Sequence, residues 1–472
     1  MCANSLPPSF SLLVTPLLLR QAEAEKPSQL ENRVGETNKI QCIMYSKPQI
    51  IHCLSLASNS ALGLKFSSFS ALQNYVQKVN TDVLGDLTCQ SFIGSDWKPV
   101  WGPYVYSQDQ TSSFAHADNV MSLLHSPSQN LLVIAIAGTN SVSMFGWMDE
   151  DFDVSTTKAW KDISGPSNSG AVSTGTYNGL DILLNKMPEP QTKGSSIVDA
   201  LGNFLASNSD IQNAELSVAG HSLGGALSPV LALYLQNNQD QWNSKGQVTT
   251  ISTYPTAGAT PGTKDFADYY GNLIQDGKID YHSEYNTFDV VPHGYQPDTI
   301  DKIPTLYSPE NGGQIDSPSD ANPQNPVIGM IATGLSLDAY KAGIQWGRIP
   351  GNPYRQVQPW TALANCAFNQ DTDNEVQKKL AFVSPLILPP GLQDYSDTFK
   401  ETVRYLYQAL TQHTTEYNRL LDIEGFMNRY NTIRSNDKPS SSQEVDLAAE
   451  MVKRATGVDL TNLPQANEVK TV

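Results

Sequence analysis

The 472-residue chain has little charge, and most of the charge it has is negative. Charged residues make up 16% of the sequence, against roughly 25% in an average globular protein. Because 47 Asp and Glu outnumber 30 Lys and Arg, the net charge of -17 repels phosphate backbones and anionic membrane surfaces. Nucleic-acid binding and a polybasic membrane anchor are therefore not expected.

Cysteine and long apolar runs are also scarce. The five cysteines are odd in number and lack C-x-x-C spacing, so they indicate neither a disulfide framework nor a thiolate zinc site. No apolar run reaches the roughly 18 residues of a membrane-spanning helix. The nearest candidate, residues 10–19, contains a proline and follows no Lys or Arg. It fits a secretion signal and a plain extension about equally; we slightly favour an extracellular location, with the cytoplasm as the alternative.

The chain divides into three predicted regions. Residues 1–55 have no sustained periodicity and are expected to form an N-terminal extension, as a signal or disordered segment. Residues 56–430 should form one large domain, with a polar insertion at about 295–350 whose composition predicts a surface loop. Residues 431–472 are expected to be a helical tail, its helix started by a capping box at 441–444.

Strand and helix patterns alternate in the middle of the chain. Residues 131–137, LLVIAIA, are typical of a strand buried on both faces of a parallel sheet. This alternation predicts an α/β fold with a mostly parallel central sheet flanked by helices. The other predicted elements are a strand over 97–106, helices over 70–79, 195–206, 226–235 and 396–421, and strands over 215–219 and near 248–253.

The residues GHSLG at 220–224 fit the pattern G-x-S-x-G, between a predicted strand and a predicted helix. That context is the one the nucleophile elbow of an α/β-hydrolase requires. The glycines leave room for a tight turn that lifts the Ser222 hydroxyl out of the sheet. The turn also points the amide of Leu223 towards a developing oxyanion. We predict Ser222 as the nucleophile and Leu223 as an oxyanion donor, and we expect His221 to be a packing or hydrogen-bonding residue.

A serine nucleophile needs a base and an orienting carboxylate, which in this fold class follow in the order Ser, Asp, His. That order leaves His282, His293 and His413 as candidate bases. Asp289, in the sequence NTFDVVP, follows a strand-like stretch and would lie where α/β sheets place ligand chemistry. We predict it as the acid, with a turn or cap residue as the alternative.

The chain resembles the class 3 lipases of the α/β-hydrolase superfamily. The matching motifs span about residues 135–292, with a weaker match, HTTEYNRLL, at 413–421. They are AIAGTN and W-x-x-E-D-F near the first central strand, GHSLGGALS at the elbow, TYPTAGATPG after it and NTFDVVP at the acid. The resemblance implies an α/β-hydrolase fold, with Ser222 as nucleophile, Asp289 as acid and His413 as base. It also implies that Thr139 completes the oxyanion hole beside Leu223.

Two features depart from the family pattern. Family members usually carry Arg before the Gly-Thr pair, where this chain has Ala137, so a charge contact that braces this region is missing. The stretch from Asp289 to His413 is also longer than in compact members. Because His413 lies on the apolar face of a predicted helix, a core histidine is its alternative role, and His293 is the reserve base.

The segment after Thr139 combines apolar and acidic residues. Met144, Phe145 and Trp147 precede a run of acids at 149–153. Core packing would explain the apolar residues, whereas the resemblance implies a short amphipathic lid that opens at a lipid surface.

Together these motifs predict a serine carboxylic-ester hydrolase, similar to a triacylglycerol lipase, that needs no cofactor and no metal. Its partner would be a lipid or other ester at an oil-water interface, neutral rather than anionic because of the charge of -17. The alternatives are an esterase for soluble or feruloyl-type esters, a phospholipase A1, a hydrolase of unusual long-chain esters, and an inactive lipid-binding homologue.

Overall fold

The computed structural model describes residues 44–108, 115–138, 154, 156–187, 195–300, 302–315, 352–381, 383, 388, 393 and 396–460. The strands are β1 (Leu64–Lys65), β2 (Lys98–Tyr106), β3 (Asn119–Ser126), β4 (Leu131–Ile136), β5 (Thr157–Ala159), β6 (Ala171–Ser173), β7 (Ala214–His221), β8 (Val248–Thr256), β9 (Asp280–Tyr281), β10 (Ser283–Tyr285), β11 (Trp360–Ala362) and β12 (Gln443–Glu444).

The helices are α1 (Lys47–Ala57), α2 (Phe69–Gly85), α3 (Leu87–Ile93), α4 (Thr174–Asp181), α5 (Ile197–Ser207), α6 (Leu223–Asn237), α7 (Gln239–Trp242), α8 (Lys264–Gln275), α9 (Pro297–Ile300), α10 (Gln370–Leu380), α11 (Ser396–His413), α12 (Thr415–Leu420), α13 (Glu424–Asp437) and α14 (Leu447–Thr456). A π-helical turn follows α4 at Ile182–Lys186, and 3₁₀ turns lie at Trp160–Asp162, Val291–His293, Ile303–Thr305 and Pro309–Asn311. Among the described residues, no helix is both long enough and apolar enough to cross a bilayer.

The central sheet has the strand order β11-β10-β8-β7-β4-β3-β2, and β9 pairs with β8. Neighbouring strands are parallel along the series β4, β7, β8, β10 and β11. Strand β3 pairs antiparallel with both β4 and β2. The mostly parallel sheet predicted from the alternation of strands and helices is therefore confirmed. It brings the carboxyl ends of β4, β7, β8 and β10 to one edge.

Strand β4 shows why an unbroken apolar run forms the centre of the sheet. All six of its residues are buried. Leu132, Ile134 and Ile136 contribute to the core on one face, while Leu131, Val133 and Ala135 contribute to the core on the other. Since successive side chains of a strand point to opposite faces, a strand covered on both sides needs an apolar residue at every position.

The folded part of the chain begins earlier than the predicted boundary at residue 56. Helix α1 lies almost entirely inside the predicted N-terminal extension, and the residues from Ile50 to Leu56 are buried. Several of them belong to the same core as Val133 and Ala135. A helix surrounded by protein has no continuous polar face, which explains why the sequence shows no helical period there. The compact unit that contains the described residues is Ile43–Val472.

The C-terminal tail is also organised differently from the prediction. Its helix α14 starts at Leu447, and the Asp446 side chain accepts a hydrogen bond from the Ala449 amide at 3.0 Å. The predicted capping box is wrong, because Gln443 and Glu444 pair as strand β12 with β1. The tail is therefore attached to the N-terminal part of the domain.

The start of the predicted insertion is not a surface loop. Tyr295, Tyr307 and Ile315 are all buried within the core that covers one face of the sheet. The hydroxyl of Tyr307 donates to the Phe288 carbonyl at 2.9 Å. The sequence did not predict this burial, because the apolar residues here are separated by many polar ones and are spaced too widely to form a recognisable period. Residues 316–351 lie outside the described part of the chain.

Candidate active site

Ser222 lies in a tight turn between β7 and α6, as the G-x-S-x-G pattern predicts. Its backbone has φ +62° and ψ -121°, a conformation that L-residues rarely adopt. The turn is held by the Ser222 amide, which donates to the Thr256 carbonyl at 3.0 Å. Gly220 and Gly224 are needed for space: a Cβ at Gly220 would lie 2.1 Å from the Gly224 oxygen, and one at Gly224 would lie 2.3 Å from the Ile136 oxygen.

The structure brings Ser222, His413 and Asp289 together. His413 Nε2 lies 2.8 Å from Ser222 Oγ. On the other side of the ring, His413 Nδ1 lies 2.9 Å and 2.8 Å from the two carboxylate oxygens of Asp289. All three side chains are buried. Because a carboxylate only accepts, Nδ1 carries the proton, which leaves Nε2 free to accept the proton of the serine hydroxyl.

Each of these residues stands at the end of a secondary-structure element. Ser222 follows β7 and Asp289 follows β10, so both lie at the carboxyl edge of the sheet. His413 is the last residue of α11, and the helical pattern predicted over residues 396–421 is broken at Thr414. The break ends the helix where its final side chain meets the Ser222 turn.

Several hydrogen bonds fix the Asp289 carboxylate. It accepts from the Val291 amide at 3.0 Å and from the Tyr417 hydroxyl at 2.9 Å. The same Tyr417 oxygen accepts from the Asn286 amide at 2.9 Å, and the Asn286 side chain donates to the Gln412 carbonyl at 3.0 Å. Asn286 and Tyr417 were not predicted as site residues, although both lie within motifs of the family resemblance.

His221 packs against the same site without touching the serine hydroxyl. Its Nε2 donates to the His413 carbonyl at 2.7 Å, so its Nδ1 accepts from the Thr256 hydroxyl at 3.1 Å. Burial lowers the pKa of His221 well below its usual value, and the neighbouring His413 lowers it further. A neutral His221 fits this role, since it connects the Ser222 turn to the end of α11 without adding a positive charge next to His413.

The oxyanion side of the site is described in part. Leu223 is the first residue of α6, so its amide has no acceptor within the helix and lies directly after Ser222. Thr139 lies outside the described residues, but its neighbour Gly138 donates its amide to Asn59 Oδ1 at 2.7 Å. Asn59 follows α1, and no sequence signal marks it. The bond from Gly138 to Asn59 holds the segment directly after Ala137, the position where class 3 lipases usually carry Arg.

The other candidate bases lie in different surroundings. His293, the reserve base, has its Nε2 3.3 Å from the Thr287 carbonyl, and burial lowers its pKa. His282 lies on the surface, with its Nε2 2.9 Å from the Asp280 carboxylate. The predicted lid residues Met144, Phe145 and Trp147 lie outside the described part of the chain. Within that part, no group of three His, Cys, Asp or Glu side chains is arranged to hold a metal ion.

One protein family and several solved structures are similar to this chain. The family model described as lipase (class 3) matches residues 133–298. The crystal structure of M37 lipase is 24% identical over 87% of this chain and 99% of its own length, with a TM-score of 0.56. A Rhizomucor miehei lipase structure is 19% identical over 52% of this chain and 62% of its own, with a TM-score of 0.34. A search of curated proteins found no match.

The chain therefore has the α/β-hydrolase fold, as predicted, with a serine turn at the carboxyl edge of the sheet. The predicted resemblance to the class 3 lipases is also confirmed, over the segment that contains Ser222 and Asp289. The family match and the fold together indicate a lipase-type ester hydrolase. His413 and Tyr417 lie beyond the matched segment.

Proposed function

We propose that this protein is a serine carboxylic-ester hydrolase for lipid esters, with Ser222 as nucleophile, His413 as base and Asp289 as acid. The main support is the chain of short contacts from Ser222 Oγ through the His413 ring to the Asp289 carboxylate. Ser-His-Asp arrangements are recognised by this geometry and not by sequence position.

The reaction would proceed in two acyl-transfer steps. His413 Nε2 takes the proton of Ser222 Oγ as that oxygen attacks the ester carbonyl. The Leu223 amide, with the predicted help of Thr139, stabilises the negative charge on the carbonyl oxygen. The alcohol then leaves with the proton from His413. A water molecule, deprotonated by the same nitrogen, releases the acid and restores the serine.

The net charge of the protein supports a neutral substrate. The chain has a net charge of -17, which disfavours the approach of anionic phospholipid. A lid formed by residues 140–152, including Met144, Phe145 and Trp147, remains a prediction of the sequence. If it opens at lipid surfaces, hydrolysis should rise sharply once the substrate exceeds its solubility.

A substrate panel tests this function. We expect the wild-type protein to hydrolyse triglyceride emulsions and p-nitrophenyl esters, and Ser222→Ala to lower kcat by roughly 10³–10⁶. Ser228→Ala is the matched control, since Ser228 is buried in α6, the helix that follows Ser222, and its hydroxyl makes only a long contact, 3.5 Å, with the Gly225 carbonyl. The control should keep kcat within a few-fold of wild type.

The panel also separates the alternatives. Faster turnover of soluble esters than of emulsions, without interfacial activation, would identify an esterase. Preference for phospholipid would identify a phospholipase A1. Ser222→Ala with wild-type turnover would refute the proposed nucleophile. A wild-type protein that binds lipid but neither hydrolyses esters nor reacts with a fluorophosphonate would be an inactive homologue.

A further inference from the structure

A cavity of about 250 Å³ opens beside the candidate nucleophile within the described part of the chain. Ser222, His413 and Gly138 lie along it. Five large apolar side chains from four separate segments complete much of its lining: Leu56, Leu62, Leu410, Met427 and Leu447. Three of them, Leu62, Leu410 and Leu447, are only half-buried. Apolar side chains left partly uncovered next to a nucleophile indicate an apolar ligand.

The walls of this cavity come mostly from outside the segment that matches the lipase family. The loop between α1 and β1 supplies Leu62, and residues near the C-terminus hold it in place. Arg434 Nε donates to the Ser60 carbonyl at 2.7 Å, and the Val445 amide donates to the Gly63 carbonyl at 2.9 Å. Pairing of β12 with β1 then places Leu447 against Gly63. The C-terminal segment is therefore part of the cavity.

The charge of the cavity also favours a neutral apolar ligand. Its lining includes no Asp or Glu, and Arg434 is its one Lys or Arg. The Arg434 guanidinium already donates to the backbone carbonyls of Ser60 and Leu62. Apart from the rings of His221 and His413, the remaining polar side chains are neutral amides and hydroxyls, such as those of Asn418 and Thr415.

The volume sets a limit on the ligand. A protein cavity of about 150 Å³ holds benzene, or roughly 25 Å³ per carbon. On that scale the cavity beside Ser222 accommodates about ten carbon atoms. In an acyl-enzyme the acyl carbon is bonded to Ser222 Oγ, so the chain starts at the cavity edge.

We propose that this cavity holds the acyl chain of the ester, and that Leu447 and Met427 determine the longest chain that fits. This proposal rests on the proposed function, since it requires an acyl group on Ser222. Each methylene transferred from water into the cavity should raise kcat/KM about fourfold. The rise should stop near ten carbons, where the chain fills the space.

The test measures kcat/KM for p-nitrophenyl esters with acyl chains of two to sixteen carbons, kept below their aggregation concentrations. Leu447→Ala removes three side-chain carbons, so it should move the optimum about two to three carbons longer and raise kcat/KM for the longer esters about 15- to 60-fold. Leu447→Trp should move the optimum shorter. Met427→Ala provides an independent enlargement if the Leu447 variants do not fold.

Leu460→Ala is the matched control, because Leu460 is a partly buried leucine near the same helix that does not line the cavity. It should leave the chain-length profile unchanged. A parallel series with a fixed acetyl group and alcohols of increasing length should not respond to the Leu447 variants.

The outcomes distinguish this proposal from the proposed function. If turnover depends on Ser222 but the acyl profile stays the same in the Leu447 and Met427 variants, the cavity assignment is wrong while the ester hydrolase stands. If only the alcohol series responds, the cavity holds the alcohol, and the assignment is again wrong. If no ester is hydrolysed by the wild-type protein, both proposals fail.

Discussion

The two sides of the candidate active site are held in place by different means. On the nucleophile side, close contacts between backbone atoms of β4, β7 and α6 enforce the Ser222 turn, and glycine is needed at Gly220 and Gly224 because no Cβ fits there. On the acid-base side, side-chain hydrogen bonds join Asn286, Asp289 and Tyr417, from segments more than a hundred residues apart.

This difference affects how each side should respond to substitution. A tight turn between packed backbones has no room to adjust, so an added methyl group should disturb the fold itself. A side-chain network can lose one hydrogen bond and keep its shape, so a conservative substitution should mainly change the chemistry of His413. Three substitutions test this contrast, in order of decreasing effect.

The largest effect is expected from Asp289→Asn. The amide would donate to His413 Nδ1, so the ring would carry its proton on Nε2 and could not accept the proton of Ser222. We expect kcat for a p-nitrophenyl ester to fall by about 10⁴, as expected when a triad ring is held in the wrong tautomer. Asp280→Asn is the control, because Asp280 also pairs with a histidine, His282, but on the surface. Loss of activity in both variants, or in neither, would contradict the assignment of Asp289.

On the nucleophile side, Gly224→Ala should destabilise the fold. Its Cβ would lie 2.3 Å from the Ile136 oxygen and 3.0 Å from the Ala137 oxygen. We expect the free energy of unfolding in urea to fall by about 3 kcal/mol, the upper part of the range for an overpacked core. Gly271→Ala is the matched control, since Gly271 lies in helix α8, where a new Cβ would have no atom within 4 Å beyond the backbone of its own helix and its chain neighbours.

The control should be neutral or more stable by about 0.5–1 kcal/mol, because alanine favours helices. If Gly224→Ala is as stable as the control, the backbone contacts do not enforce the turn.

The smallest effect is expected from Tyr417→Phe. This change removes the hydroxyl that donates to Asp289 Oδ2 at 2.9 Å. A hydrogen bond to a charged group contributes about 1.5–3 kcal/mol, so kcat should fall by about ten- to a hundredfold while the fold is kept. The loss should appear in kcat and not in KM, because Tyr417 contacts Asp289 and does not line the cavity beside Ser222.

Tyr269→Phe removes a comparable hydroxyl, which lies away from the site and donates to Asn237 Oδ1 at 3.2 Å, and it should leave kcat unchanged. A wild-type kcat in Tyr417→Phe would mean that Tyr417 only fills space.

The sequence was most informative where local spacing controls the structure. GHSLG predicted the Ser222 turn because its glycines are needed within five residues of each other. The run LLVIAIA predicted β4 because burial on both faces requires apolar residues throughout. The sequence was least informative for α1, whose burial on nearly every side removed the helical period, and for the capping box at 441–444, which forms a strand.

The amino-acid sequence by itself determined the fold class and the serine turn, because each depends on patterns of residues close together in the chain. Only the tertiary structure decided that His413, and not His293, lies between Ser222 and Asp289. It also revealed the bond from Gly138 to Asn59. Such contacts join distant segments, and their geometry depends on how the helices pack around the sheet, which no local spacing specifies.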